Sequence, residues 1–311
     1  MTTNSPPAVT SLMRWSIGDV TVTRIVDSPG HLDLAGMFST TTESVQAIGW
    51  LVPDFATPDG VGLCDFASFV VDTPTRRIVV DTCWGDGKDL GPWDEFGGRS
   101  TSFLADFEAA GFPLDSVDLV VCTHLHADHV GYNTTLFDGR WVPTFPQARY
   151  VFNRAEFEYW SAPADYPMDP GMVALQEPTF RESVQPLVEA GLVDLVDGEH
   201  RLTPEIVLEP TLGHSIGHQS VRIVSGGKEA LITGDIAHHP SQAARPEWGI
   251  GADYDAASAI ETRRRIFADA ADRGVVVIGT HWSAPTAGIL SVDGDGFRLH
   301  PIAVDGASGN M

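Results

Sequence analysis

Cysteine is scarce in this chain: Cys64, Cys83 and Cys122 are its only three in 311 residues. No two of them fall at metal-ligand spacing, and so odd and sparse a set argues against a disulfide framework. Cys122 ends the apolar run Val117-Asp118-Leu119-Val120-Val121-Cys122 and reads as a small buried residue. Long apolar runs are missing too. Nothing approaches the roughly 18 consecutive apolar residues of a membrane-spanning helix. The first 16 residues hold two prolines and no apolar stretch of signal-peptide length. The reading is therefore a cytoplasmic protein, with residues 1–16 a flexible extension before a core over about 17–303. Positive charge is the third shortage: 19 Lys and Arg face 42 Asp and Glu, a formal charge of -23. Such a surface repels phosphate backbones and anionic headgroups, so nucleic acid and membranes are poor partners. The acidity reads as a solubility feature.

Short β-rich runs are abundant. Val20 to Val26 alternates as a half-buried strand does, and 66–71 with 77–81 reads as a hairpin around Thr73-Pro74-Thr75. Ser102 to Ala110 is a short amphipathic helix ended by Gly111 and Pro113. The strand Leu119-Val120-Val121 follows, and further strands are expected at 149–152, 206–208, 220–224, 230–232 and 275–278. The clearest helix runs from Ala256 to Asp272. Residues 31–60 and 158–180 are less regular, though their aromatic content argues for order. With no repeat, low-complexity linker or charge block, sheets with helices outside in one α/β domain are expected.

The chemistry concentrates immediately after the strand at 119–121. In His124-Leu125-His126-Ala127-Asp128-His129, four potential ligands fall within six residues. Alternate side chains of an extended segment point the same way, so His124 and His126 can converge on one ion. Asp128 and His129, past the bend, can face a second ion nearby. Imidazole with carboxylate suits zinc or another borderline divalent ion, with manganese, iron and cobalt also accommodated.

This segment resembles the His-x-His-x-Asp-His motif of the metallo-β-lactamase superfamily, which also follows a buried strand. The resemblance covers roughly residues 66 to 282 and implies a single-domain four-layer αββα sandwich. It implies three further ligands in fixed order. His214, in Gly213-His214-Ser215-Ile216-Gly217-His218, should complete the first site. Asp235, in Thr233-Gly234-Asp235, should bridge the ions, and His281, in Gly279-Thr280-His281, should complete the second site. The implied cofactor is a pair of divalent ions about 3.5–4 Å apart sharing a hydroxide, since metal binding lowers the pKa of water from about 15.7 towards about 7. That hydroxide attacks an ester, lactone or phosphoryl centre, with Asp128 relaying a proton. A homodimer is plausible on the same resemblance.

Other positions take their roles from the resemblance. His238, three residues after Asp235, is expected near the substrate. Its place is commonly a tyrosine in acyl-homoserine-lactone lactonases, and the histidine resembles the methyl-parathion-hydrolase branch. His218 should be a structural hydrogen-bonder, and Asp81, in Asp81-Thr82-Cys83-Trp84-Gly85, should orient ligands from behind. His239 reads as a bystander, and His31, His200 and His300 as exposed. Trp84, Trp93, Phe96, Trp160 and Trp282 are expected to line an apolar pocket, Trp282 foremost because it adjoins His281. Trp248 belongs with them less firmly.

Departures narrow the branch. Flavodiiron oxidoreductases carry an acidic residue where this chain has His126, and class B β-lactamases usually carry cysteine where it has Asp235. A lactonase or esterase acting on a small apolar substrate is favoured, with the acyl-homoserine-lactone type foremost. The alternative is an organophosphate phosphotriesterase or arylesterase. A glyoxalase-type thioesterase commonly uses basic residues for the glutathione carboxylates, and no such cluster is clear in this chain, while a non-catalytic metal-binding protein fits poorly with a complete ligand set.

Overall fold

The computed structural model describes residues 12–91, 97–162 and 170–305. The amino-terminal part supplies strands β1 Met13–Ile17, β2 Val20–Leu32, β3 Gly62–Asp72, β4 Arg77–Val80, β5 Leu119–Val121, the hairpin β6 Thr134–Phe137 and β7 Arg140–Pro143, then β8 Arg149–Asn153 and β9 Val193–Val196. All but the β6–β7 hairpin form one seven-stranded sheet in the order β1-β2-β3-β4-β5-β8-β9. The carboxyl-terminal part supplies β10 His200–Arg201, β11 Ile206–Pro210, β12 Gln219–Ser225, β13 Lys228–Ile232, β14 Val276–Ile278, β15 Ala287–Asp293 and β16 Gly296–Pro301, which form a second sheet in chain order.

Strand periodicity sends alternate side chains to opposite faces, and three apolar layers result. Phe69, Val71, Ile78, Val80 and Val121 of the first sheet meet Leu208, Val221, Ile223, Ile232 and Ile278 of the second in a core between the sheets. The intervening Val70, Val79 and Val120 face outward onto Phe103 and Phe107 of the helix Phe103–Ala109 and onto Leu187. Leu231 and Val277 face the opposite way, onto Ile266, Phe267 and Ala270 of the helix Ala256–Arg273. The architecture is an αββα sandwich in one domain.

Three expectations change. The first sheet starts at Met13, because Arg14, Trp15 and Ser16 pair with β2 and Trp15 is buried, so part of the supposed extension is core. The weakly periodic stretch at 31–60 is built of short helices at Leu34–Met37 and Thr42–Gln46, whose Leu34 and Val45 join Phe38, Ile48 and Phe55 in the outer core of the second sheet. Within 158–180, residues from Pro170 onward form the helix Pro170–Ser183.

The topology puts the site at one rim. β4 and β5 are parallel neighbours in the first sheet, and β13 and β14 in the second. Their carboxyl ends lead directly into Asp81, His124, Asp235 and His281. Ligands in α/β sheets gather at this end of parallel strands.

Candidate metal centre

All seven expected ligands come together at that rim. The ligating atoms of His124, His126 and His214 lie within 4.8 Å of one another, as do those of His124, His129 and Asp235, and those of Asp128, His129 and His281. Asp235 is central: its Oδ2 is 3.2 Å from His129 Nε2 and 3.5 Å from His214 Nε2, while its Oδ1 is 3.1 Å from His281 Nε2. Asp128 Oδ2 lies 3.4 Å from His281 Nε2.

The hydrogen bonds behind these side chains assign the imidazole tautomers. Thr123 Oγ1 donates to Asp81 Oδ2 at 2.8 Å, so it accepts from His124 Nδ1 at 3.1 Å and leaves Nε2 with a lone pair. His129 Nδ1 donates to Asp81 Oδ2 at 2.9 Å, and His214 Nδ1 donates to Asp253 Oδ1 at 3.0 Å. The Nε2 lone pairs of His124 and His214 then aim at His126 Nδ1 from 2.9 and 3.1 Å. At most one proton can serve three nitrogens so placed. Nitrogen lone pairs converging in a buried space repel unless an electrophile lies among them, and a divalent cation satisfies them together. Asp235 Oδ1, 3.1 Å from His281 Nε2, can bind the same kind of ion. The donor set fits a metal centre.

The electrostatics agree. Burial holds His124, His126 and His214 well below the ordinary histidine pKa, reinforced by neighbouring histidines, which keeps them in the neutral form that ligates. Burial also pulls on His129 and His281, but Asp235 and Asp128 outweigh it and hold both above the ordinary value, with Asp81 adding to the effect on His129. Asp235 is itself buried, which raises its pKa. His281, His129 and His238 outweigh that and keep its carboxyl well below the usual range.

Asp81 and His218 lie behind the ligands. Asp81 accepts from the Thr123 backbone N–H at 2.7 Å as well as from His129, tying two ligand-bearing turns together. It holds this place at φ 57°, a conformation uncommon outside glycine. His218 Nε2 accepts the Asp235 N–H at 2.8 Å while Nδ1 donates to Thr211 Oγ1 at 2.9 Å. A Cβ at Gly234 would lie 2.5 Å from the His218 ring, so that glycine permits the approach.

His238 is nearer the centre than a loop bystander. Its Nε2 is 3.1 Å from Asp235 Oδ2 and its ring stacks at 5.9 Å on His281. His239 turns away and is fully buried, its Nε2 donating to the Phe55 carbonyl at 2.7 Å. His31 and His300 are exposed, whereas His200 is half-buried, held in β10.

The aromatic residues divide. Trp84 lines an apolar cavity of about 230 Å³ that opens on His126, Asp128, His214, Asp235, His238 and His281, with Leu32, Met37, Phe66, Leu175 and Ile250 completing its apolar wall. Trp160 lines a second cavity, of about 700 Å³, on the other side of His126 and His214 with Tyr159 and Tyr254. The expectation for Trp282 is corrected. Its indole is wholly buried in the outer core of the second sheet and donates Nε1–H to the Ala237 carbonyl at 3.1 Å, so it supports the site from beneath. Trp248 is half-buried and stacks on Phe38 at 5.5 Å. Trp93 and Phe96 lie outside the described residues. Two carboxylates escaped the sequence reading: Asp253, behind His214, and Glu156, buried beside the first ligand turn. Neither stands in a motif, and only the tertiary structure brings them to the centre.

Fold and site together define an αββα protein with a His/Asp metal centre at the strand ends. The chain belongs to the metallo-beta-lactamase superfamily, whose family model matches residues 62–281. Among solved structures it is similar to AbOPH, a hydrolase in the beta lactamase superfamily, at TM-score 0.77 and 24% identity over 94% of this chain and 97% of that one. It is also similar to AidC, a dizinc quorum-quenching lactonase in complex with a product, N-hexanoyl-L-homoserine, at TM-score 0.73 and 19% identity over 94% and 97%. A probable metal-dependent hydrolase from Staphylococcus aureus aligns at TM-score 0.72 and 20% identity over 93% and 100%. No curated protein matches the chain by sequence. At these identities the structural likenesses speak for the fold.

Proposed function

We propose that this protein is a hydrolase with a two-ion centre that opens a lactone or ester of a small, uncharged substrate with an apolar tail. The cavity beside Trp84 carries this reading. It reaches the candidate ligands from an apolar wall, and among the described residues no Lys or Arg lines it, so no side chain of the wall offers a counter-charge to an anionic substrate. His124, His126 and His214, Asp128, His129 and His281, and the shared Asp235 would hold zinc or similar divalent ions, which would supply an activated water and a Lewis acid for the carbonyl. The protein's own part is positional. Phe66 and Trp84, packed edge-on at 5.2 Å, shape the wall for the tail. Asp128 borders this cavity and is the carboxylate placed to take up a proton as the ring opens. His238, on the same floor, is placed to hydrogen-bond the substrate's carbonyl side. The N-hexanoyl-L-homoserine product bound in AidC, an opened ring with an apolar tail, accords with this substrate class.

The same neutral cavity admits an organophosphate triester, so phosphotriesterase activity is the second reading. A panel of N-acyl homoserine lactones, aryl esters, organophosphate triesters and glutathione thioesters, run on zinc-, manganese- and cobalt-loaded protein, separates them. Turnover of lactones and esters above triesters is expected, rising with apolar chain length. Failure to hydrolyse any member with every metal would sink the proposal.

A further inference from the structure

Glu156 lies in the helix Arg154–Ser161 and has no exposed surface. Its carboxylate accepts four hydrogen bonds. Oε1 takes the backbone N–H of Leu125 at 3.2 Å and the indole N–H of Trp160 at 2.7 Å. Oε2 takes the Ser215 hydroxyl at 2.8 Å and the backbone N–H of Gly217 at 2.8 Å. Leu125 is the residue between His124 and His126, and Ser215 follows His214. Trp160, held by the same carboxylate, packs edge-on against the His126 ring at 5.6 Å. A side chain on a third element thus joins two loops, one from each sheet, that carry His124, His126 and His214. Nothing comparable reaches from Glu156 to Asp128, His129 or His281 among the described residues, and His129 is held instead by Asp81.

Close approach makes the join possible. A Cβ at Gly217 would lie 2.5 Å from Asn153 Oδ1 and 2.7 Å from the Glu156 backbone nitrogen, so only glycine lets the loop reach this helix. Three of the four partners are N–H groups that can only donate. An ionised carboxylate accepts from all of them, whereas an amide can offer only one oxygen and turns its own N–H groups towards donors.

From this geometry we infer that Glu156 is a positioning residue for one half of the metal centre, setting the affinity of the His124/His126/His214 site while leaving the Asp128/His129/His281 site alone. The inference rests on the two-ion reading above, and its test separates the two. Zinc is titrated into metal-stripped wild type, Glu156→Gln and Glu156→Asp, with hydrogen exchange followed at the Leu125, Gly217 and Thr123 amides. In Glu156→Gln the Leu125 and Gly217 amides should lose protection, while Thr123, bound to Asp81 at 2.7 Å, keeps its own. One zinc equivalent should weaken by about 10–100-fold, the range for outer partners of ligands, and the other stay unchanged. Glu156→Asp, which keeps the charge, should recover part of both. If Glu156→Gln does not fold, Ser215→Ala removes one of the four bonds and should weaken the same single equivalent to a smaller degree. Lost amide protection with unaltered zinc binding, or equal weakening of both equivalents, would overturn the inference. A wild type that binds one equivalent would sink the two-ion reading instead, and Glu156 would then be judged on whether its variants weaken that equivalent.

Discussion

The two halves of the candidate centre, three histidines in one and two histidines with an aspartate in the other, are kept ready in different ways. The His124/His126/His214 half contains no carboxylate of its own, and its imidazoles stay neutral because burial and their mutual repulsion exclude protons. The two histidines of the Asp128/His129/His281 half are as deeply buried, yet nearby carboxylates reverse the effect and hold His129 and His281 above their ordinary pKa. The first half is therefore a set of lone pairs needing a cation, and the second a set of ion pairs that a cation can replace. Behind the halves stand different carboxylates: Asp253 bonds His214, whereas Asp81 bonds His129 directly and reaches His124 through the Thr123 hydroxyl. Geometry alone makes the halves look equivalent. Their charge environments distinguish them.

Asp235 belongs to both halves, so its replacement should do most damage. Asp235→Asn removes the one charge that His124, His129, His214 and His281 all face within 3.8 Å. Zinc affinity and hydrolysis should both fall by more than about 100-fold, beyond the range for residues that act only through a ligand. Near-normal metal content by elemental analysis would show that the halves do not depend on a shared carboxylate. The next largest effects should divide the halves. Asp81→Asn disturbs three accepted hydrogen bonds and Asp253→Asn two. Asp253→Asn should cost about 10–100-fold in affinity for the ion at His214, and Asp81→Asn at least as much for the ion at His129, with a smaller loss at the other through Thr123 and His124. Zinc titration that finds both variants weakening the same equivalent most would break the comparison.

How much of this was legible in the sequence differs between the two sheets. In the first, ligands are contiguous, and a buried strand followed by four ligating residues in six positions announces them. In the second, His214, Asp235 and His281 are single residues after separate strands, identifiable only through family resemblance. The partners Asp253 and Glu156 carried no local signal at all. Asp253 precedes a helix and Glu156 lies within one, where a carboxylate ordinarily reads as a solvated residue. Their roles exist only because the topology carries loops from both sheets against them. Trp282 failed for a related reason, since adjacency to His281 in sequence says nothing about which way the next side chain points. A residue after a strand end alternates away from its neighbour, and here that direction is the core.

Two buried histidines outside the ligand set sharpen the account of neutrality. His239 has both nitrogens committed: Nε2 donates to the Phe55 carbonyl, and Nδ1 accepts the Ser241 N–H at 3.1 Å. Burial pushes its pKa down to about 4, and does the same to His218. Both folded values lie below the unfolded value, so the unfolded chain binds more protons between about pH 6.5 and 4. Their stabilisation is complete above about pH 6.5 and is lost as the pH falls towards 4, by up to about 3 kcal/mol for each. Denaturant unfolding of the metal-free protein should show that decline. His239→Asn should reduce it, and an unchanged pH slope in that variant would contradict the assignment.

The smallest effects separate wall from foundation. Trp84 is edge-on to Phe66 in the apolar cavity, on the side of Ala127 and Asp128, whereas Trp282 lies beneath the floor with no exposed surface. Trp84→Leu should lower kcat/KM for long-chain substrates by about tenfold, the lower end of what lost apolar contact in a pocket produces. It should leave short-chain substrates nearly unchanged. Trp282→Phe should act on stability instead. It leaves the Ala237 carbonyl without its indole donor and should cost about 1–3 kcal/mol of stability, with chain-length preference intact. If Trp282→Phe shifted the chain-length profile as far as Trp84→Leu, the apolar tail would not be read at the Trp84 wall. The half of the centre nearer His126 and Trp160, with its larger cavity, would then be the side from which substrate enters.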